Sequence, residues 1–351
     1  MILDDLDRMK SIDKSNMLLD IQTLPDQLQN AWHIAGQHEL PEFKNLEGVT
    51  ISGMGGSAIG ADILAAYVSD KSTIPVNVFR GYTLPEWVKG SKQLVICSSH
   101  SGNTEETVSV FEEALKRKCS LVAVSRNGRI RELALQNNVP YIQFQHDGQP
   151  RSAVGFSFGI LLNIFSRLRL IPEQAEQITR SFKAMKKMIV DVDIHVPVVK
   201  NLAKRIAGQA FDRQPVIIGA EHLEPIARRW KTQINEIAKG WAGFEFIPEA
   251  NHNTLAGLEF PEVVLSKLYA LFLSSESYHP RNGKRFNLTF DQFMVAGLCT
   301  DKIVLPKGDK LDEIWRFLIL GDYISYYLAM MYEVDPTPIE SLESFKIAMK
   351  S

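Results

Sequence analysis

Two short turns carry the residue types best suited to chemistry. The first, GMGGSAIG, sets Gly53, Gly55, Gly56, Ser57 and Gly60 between a β-branched run and a helical stretch. The second, SSHSGNTEET, sets Ser99, Ser101, Gly102, Asn103 and Thr104 in the same kind of place. Glycines let backbone N–H groups approach an anion closely, and the helix that follows adds the favourable end of its dipole. Serine and threonine hydroxyls add rotatable donors. Together the turns are suited to hold a phosphate without committing a lysine or arginine, with Gly56, Ser57, Ser99, Ser101 and Thr104 as the candidate donors. An ordinary glycine-rich turn would use such hydroxyls to cap its own helix. Two of them on neighbouring strands would face one sheet edge, where α/β proteins place ligands, and that favours the binding reading. Neither nucleotide motif fits. The glycines are not spaced as GxGxxG, and the GK[ST] of a P-loop is missing.

The elements that must position these turns alternate along the chain. Val49–Ser52 and Leu94–Cys97 read as strands leading into helices, the second of them over Glu105–Leu115. SLVAVSRNG and VPYIQFQ supply two more strand-length runs. A helical region from about residue 156 to 207 follows, with no Gly/Ser- or Pro-rich linker. The alternation then restarts: Val216–Ile218 is a strand, a helix opens at Pro225, and further strands fall near 244–247, 269–274 and 302–305. This order predicts an α/β protein of two domains, each a parallel sheet flanked by helices. We divide it as 1–165, including a helical N-terminal extension over the first 44 residues, and 166–351 with C-terminal helices.

Composition narrows the classes further. At 351 residues, with 45% hydrophobic and 23% charged, two globular domains fit a norm of about 150 residues each. The formal net charge of -2 makes no case for a nucleic-acid or membrane-surface partner. No apolar run has the length of a membrane span, and MILDDLDRMKS lacks the order of a secretory signal. Cys97, Cys119 and Cys299 form neither a disulfide framework nor a metal-ligand pattern. The chain thus reads as soluble and cytoplasmic, with no bound metal expected.

GGSAIG followed by SxSGNTxET resembles the signature of the sugar isomerase (SIS) domain, which grips phosphosugars. PRSAVG at 150–155, RRWKTQINEIAKG at 228–240, EANHNTLAG at 249–257, HPRNGKR at 279–285 and VDPTP…LESFK at 334–346 resemble, in order, the bifunctional phosphoglucose/phosphomannose isomerase family. The resemblance covers essentially the whole chain. It implies two SIS-type domains and isomerisation of glucose 6-phosphate or mannose 6-phosphate with fructose 6-phosphate through a cis-enediolate. It also implies a homodimer whose shared sites take the histidine from the neighbouring subunit. By position in the motifs, Glu236 matches the base and His252 the ring-opening histidine. Lys346 matches the lysine near the ring oxygen, and Arg151 the arginine that steadies the enediolate. Such a proton shuttle calls for no redox cofactor. The family usually has Asn where Ile237 stands, which bears on a polar contact beside the base, and commonly Glu where Thr254 stands.

Helical periodicity puts Ile226, Trp230, Ile234 and Ile237 on one apolar stripe, with Glu236 at its border. A carboxylate at such a border is partly desolvated, and that raises its pKa towards usefulness as a base. Arg228, Arg229 and Lys231 read as ion-pairing or solvated residues. Two alternatives remain open at this level. Another SIS-type sugar-phosphate isomerase would share the phosphate grip and use different chemistry. A non-catalytic sugar-phosphate sensor would keep the serine turns without needing Glu236, His252 and Arg151 together.

Overall fold

The computed structural model describes residues 2–349, which fall into two compact units. The first, residues 23–184, opens with α3 (Leu24–Gln37), after α1 (Leu6–Ile12) and α2 (Met17–Gln22). It continues through β1 (Gly48–Ser52), α4 (Gly55–Val68), β2 (Val76–Phe79), β3 (Gln93–Ser99), α5 (Glu105–Lys116) and β4 (Ser120–Ser125). Helix α6 (Arg129–Gln136), β5 (Tyr141–Gln143), α7 (Val154–Arg167) and the start of α8 (Ala175–Val192) complete it.

Its five strands lie in the order β2-β1-β3-β4-β5, and every pairing is parallel. Parallel strands need crossovers, and helices supply them, so both faces are covered and β1 is buried along its whole length. Under α5 and α6 the core is built from Val95, Cys97, Phe111, Leu121, Ala123 and Ile130. On another side α7, buried from Val154 to Ser166, packs against α3. The chain leaves β1 for β2 on one side and returns to β3 on the other. That reversal leaves the carboxyl ends of β1 and β3 adjacent with their helices diverging, and Ser52 pairs in register with Cys97.

The second unit combines residues 1–22 with 185–351. Its later elements are α9 (Leu202–Ala210), β6 (Gln214–Ala220), α10 (Glu224–Ile237), β7 (Gly243–Ile247), α11 (Glu262–Leu265) and β8 (Leu268–Ser274). They are followed by α12 (Pro280–Val295), β9 (Cys299–Val304), α13 (Lys310–Met331) and α14 (Glu340–Ala348). The sheet order is β7-β6-β8-β9, again all parallel. Helix α13 is buried from Ile314 to Met330 and packs against both α9 and α10. Arg229 of α10 reaches Asp322 of α13 at 2.6 Å, Gln233 donates to the other oxygen of that carboxylate at 3.0 Å, and Trp230 donates to the Phe317 carbonyl at 2.8 Å. Arg229 is therefore an ion-pairing residue, as read from sequence, and a buried one.

The contacts divide the chain between Ala184 and Met185, inside α8, whereas the sequence reading divides it at 165/166. The reason is that the two terminal parts of the chain share one core. Met9, Met17 and Ile21 are buried, α2 packs on α13, and Asp4 pairs with the buried Lys204 at 3.2 Å. No helix among the described residues is long and apolar enough to cross a membrane.

Candidate active site

At the reversal in the first sheet, α4 starts after Met54 and α5 after Thr104, and neither start is capped by its own side chain. In α4 the Ser57 N–H reaches the Met54 carbonyl at 3.1 Å, and both helix starts carry the positive ends of their dipoles. The hydroxyls that would serve as caps in an ordinary turn are occupied otherwise. Thr104 Oγ1 lies 2.9 Å from Ser99 Oγ, and Ser99 Oγ accepts the Gly102 N–H at 3.1 Å. Ser57 Oγ accepts the His100 N–H at 3.2 Å, which links the two turns directly. Ser101 Oγ accepts from Asn103 N–H at 3.2 Å, and its side chain faces solvent. Each hydroxyl that accepts from a backbone N–H keeps its own hydrogen for another acceptor.

Two glycines make the geometry attainable. Gly102 has φ +73°, and a Cβ there would collide with the Asn127 carbonyl. At Gly56 a Cβ would collide with the carbonyl of Pro150 and come within 3.5 Å of Arg151 Cα. Its absence lets the 3-10 turn Pro150–Ser152 lie on the first turn of α4, where Gln27 Nε2 holds the Ser152 carbonyl at 2.9 Å. Arg151, only 4% exposed, is thereby carried beside the turn of Gly56 and Ser57. The structure thus gathers Gly56, Ser57, Ser99, Ser101, Thr104 and the backbone of Arg151 around one end of one sheet.

The other sequence candidates stand on three separate elements of the second unit. Glu236, half-buried, lies in the last turn of α10, beside the stripe of Ile226, Trp230, Ile234 and Ile237, all of them buried. His252, itself exposed, ends the 3-10 turn Glu249–His252, in which Ala250 is buried. Its neighbouring asparagines hold the loop: Asn251 donates to Thr289 Oγ1 of α12 at 2.6 Å, and Asn253 donates to Glu249 at 2.9 Å. Lys346 is exposed on α14. Among the described residues, no group of three or more His, Cys, Asp or Glu is arranged to hold a metal ion.

Sequence reasoning missed one pair at the phosphate turn. His100, buried at the end of β3, places its Nε2 3.1 Å from Nδ1 of His146 and packs edge-on against Phe144. Burial first, then the neighbouring His146 and Arg126, lower the His100 pKa to about 4. At neutral pH the ring is uncharged, so one imidazole donates and the other accepts. The signal for His100 lay inside the motif; nothing local singles out His146, 46 residues away.

Residues 199–349 match the bacterial phospho-glucose isomerase C-terminal SIS domain. The chain is 36% identical over 332 residues to a bifunctional phosphoglucose/phosphomannose isomerase of Caldicellulosiruptor bescii, covering 94% of this chain and 98% of the relative. A protein of the same description from Thermoplasma acidophilum is 33% identical over 327 residues, 93% of this chain and 95% of the relative. Among solved structures, a hypothetical protein from Thermus thermophilus superposes with a TM-score of 0.73 at 15% identity, covering 98% of this chain and 93% of that one.

The His100 environment makes a pH-dependent prediction. An unfolded histidine takes up its proton near pH 6.5, but the folded one resists until about pH 4. Protonation of the unfolded chain therefore draws stability away as pH falls through that window, and nothing is lost above it. His100→Gln should remove this slope, so its stability relative to wild type should rise by about 2 kcal/mol, allowing for solvent screening, between pH 6.5 and pH 4. Urea denaturation across that range is the measurement; a constant offset would contradict the assignment.

Proposed function

Because the chain belongs to the bifunctional phosphoglucose/phosphomannose isomerase family, we propose that it interconverts glucose 6-phosphate and mannose 6-phosphate with fructose 6-phosphate. The observation that carries this reading is the pair of helices α4 and α5, both starting without a side-chain cap beside hydroxyls that link their turns. A sugar phosphate would complement those helix starts, with Gly56, Ser57, Ser99, Ser101 and Thr104 holding it.

The chemistry follows from what an aldose–ketose exchange requires. His252 and Lys346 assist opening of the sugar ring. Glu236 takes a proton from one of C1 and C2 and returns it to the other, leaving a cis-enediolate between. Arg151 faces the negative charge that develops on the enediolate oxygens. A guanidinium stays charged at every working pH, and at 4% exposure its field is little screened. The enediolate is planar at C2, so protonation from one face gives glucose and from the other mannose stereochemistry. One base serves both sugars when the enediolate turns about its C2–C3 bond to present either face to Glu236.

The same reading makes the enzyme a homodimer in which His252 completes the partner's site. Its support is the apolar surface carried by the chain around that histidine. Phe260 is 76% and Val263 74% exposed in the segment that follows, and Leu288 is exposed on α12 next to Thr289, which holds Asn251. Water contact on so many large apolar side chains is unfavourable, and a second copy would relieve it. Hexose 6-phosphates arise in the cytoplasm, and three free cysteines suit its reducing conditions.

Two experiments test this. Ser101→Ala should raise KM for each hexose phosphate by roughly tenfold or more, as loss of a hydrogen bond to a charged group does, while kcat changes little. Unchanged KM and unchanged inhibition by inorganic phosphate would remove Ser101 from the grip. Separately, inactive Glu236→Gln protein mixed with inactive His252→Ala protein should recover activity, since hybrid dimers rebuild one intact site. Absence of recovery after proven subunit exchange would mean that each site is built within one chain.

A further inference from the structure

Just past the C-terminal end of α10 stands a lysine in an unfavourable backbone conformation. Lys239 has φ +57°, a left-handed value that glycine or asparagine adopts at much lower cost. Its Nζ donates to the carbonyl of Glu236 at 2.8 Å, to that of Ile237 at 3.4 Å and to that of Pro336 at 3.2 Å. The first two are carbonyls at the helix terminus, at the negative end of the dipole, where an ammonium is favoured. The third belongs to the turn VDPTP, in which Pro336 and Pro338 fix φ and Asp335 Oδ1 accepts the Thr337 N–H at 3.0 Å. This turn leads directly into α14, on which no residue is buried. Core packing therefore does little to hold that helix, and the turn from which it springs sets its place.

We propose that Lys239 is a positioning residue, whose ammonium pins the root of α14 to the end of α10 and so registers Lys346 against Glu236 for ring opening and proton transfer. This rests on the roles given above to those two residues. The lysine acts through backbone carbonyls of the segments that carry them. It also explains why a left-handed position keeps a long side chain. The helix end itself is closed independently, since Gly240 N–H reaches the Ile234 carbonyl at 3.2 Å and Asn235 Nδ2 reaches the Gly240 carbonyl at 2.7 Å.

That independence provides the test. Lys239→Gly relieves the backbone conformation and removes the clasp, whereas Lys239→Met keeps the apolar stem without the charge. Both should lower kcat on glucose 6-phosphate and mannose 6-phosphate by about tenfold or more, as small misplacements of reacting groups do. Inhibition by inorganic phosphate should stay within about twofold of wild type, because the phosphate turns are untouched. The thermal midpoint of Lys239→Gly should not fall. A lysine with a merely structural role predicts that kcat follows the midpoint in both variants, and that pattern overturns the proposal. A kcat within about twofold of wild type for Lys239→Gly overturns it too. Glu236→Gln and Lys346→Ala, assayed alongside, separate the two levels. If either keeps wild-type kcat, the catalytic assignment has failed and the proposal with it. If both lose turnover and Lys239→Gly does not, only the positioning role has failed.

Discussion

A phosphate dianion gives up strong hydration when it enters a protein, and it stays only if several donors meet it at one point. In the proposed site the reversal of strand order between β1 and β3 supplies that point. It sets the starts of α4 and α5, neither capped by a side chain, beside one another, so that two helix dipoles address the same space. In the proposed grip the serines and Thr104 would refine the donor set; the His100 N–H to Ser57 bond links the two turns. Everything else proposed for the chain depends on a substrate anchored there by its phosphate. An anchored tail turns the remaining chemistry into a matter of reach and orientation.

The second unit answers a different demand, which is to hold a carboxylate at the edge of a core without burying it outright. Helix α10 is fixed along its length by Arg229, Trp230 and Gln233, each bonded to α13. Burial pushes the Asp322 carboxyl up, while Arg229 and Gln233 pull it back. Removing either partner of such a pair leaves an uncompensated buried charge, so the arrangement ties the orientation of α10 to the integrity of the core. Glu236 lies three residues beyond Gln233, one turn on, where the buried stripe gives way to a half-exposed border. The departure at Ile237 then has a plain local reading. That side chain is fully buried and completes the stripe, so it adds packing where the family usually has Asn.

Much of this was legible in the sequence, and what was not has physical causes. Strands β1, β3, β4 and β6 were readable because burial on both faces demands continuous β-branched and apolar runs bounded by turn residues. Strand β2 escaped: VNVF is four residues long and half-buried throughout, so neither its length nor its pattern stands out. Strand β9 begins at Cys299 with the polar CTDK rather than at Lys302, because an edge strand need not bury alternate residues. The division inside α8 had no local signal, since it arises from contacts between the first 22 residues and the C-terminal half. At the site, the glycine and hydroxyl spacing was readable because the turns themselves require it. The His100–His146 pair and the clasp of Lys239 on Pro336 join residues distant in sequence, and no periodicity encodes them. Asn251 and Asn253 hold in place the loop that carries His252.

The central claim is that one base, Glu236, serves both sugars through a common enediolate. Its most direct test is the turnover of Glu236→Gln on glucose 6-phosphate and on mannose 6-phosphate, with solvent deuterium followed into C2 of each aldose formed from fructose 6-phosphate. The substitution keeps the shape of the side chain and removes its ability to accept a proton. Both turnovers, and both incorporations, should fall in parallel by about 10²–10⁴-fold while KM changes little. Near-normal turnover on either sugar, or deuterium still entering one product at the wild-type rate, would contradict the account.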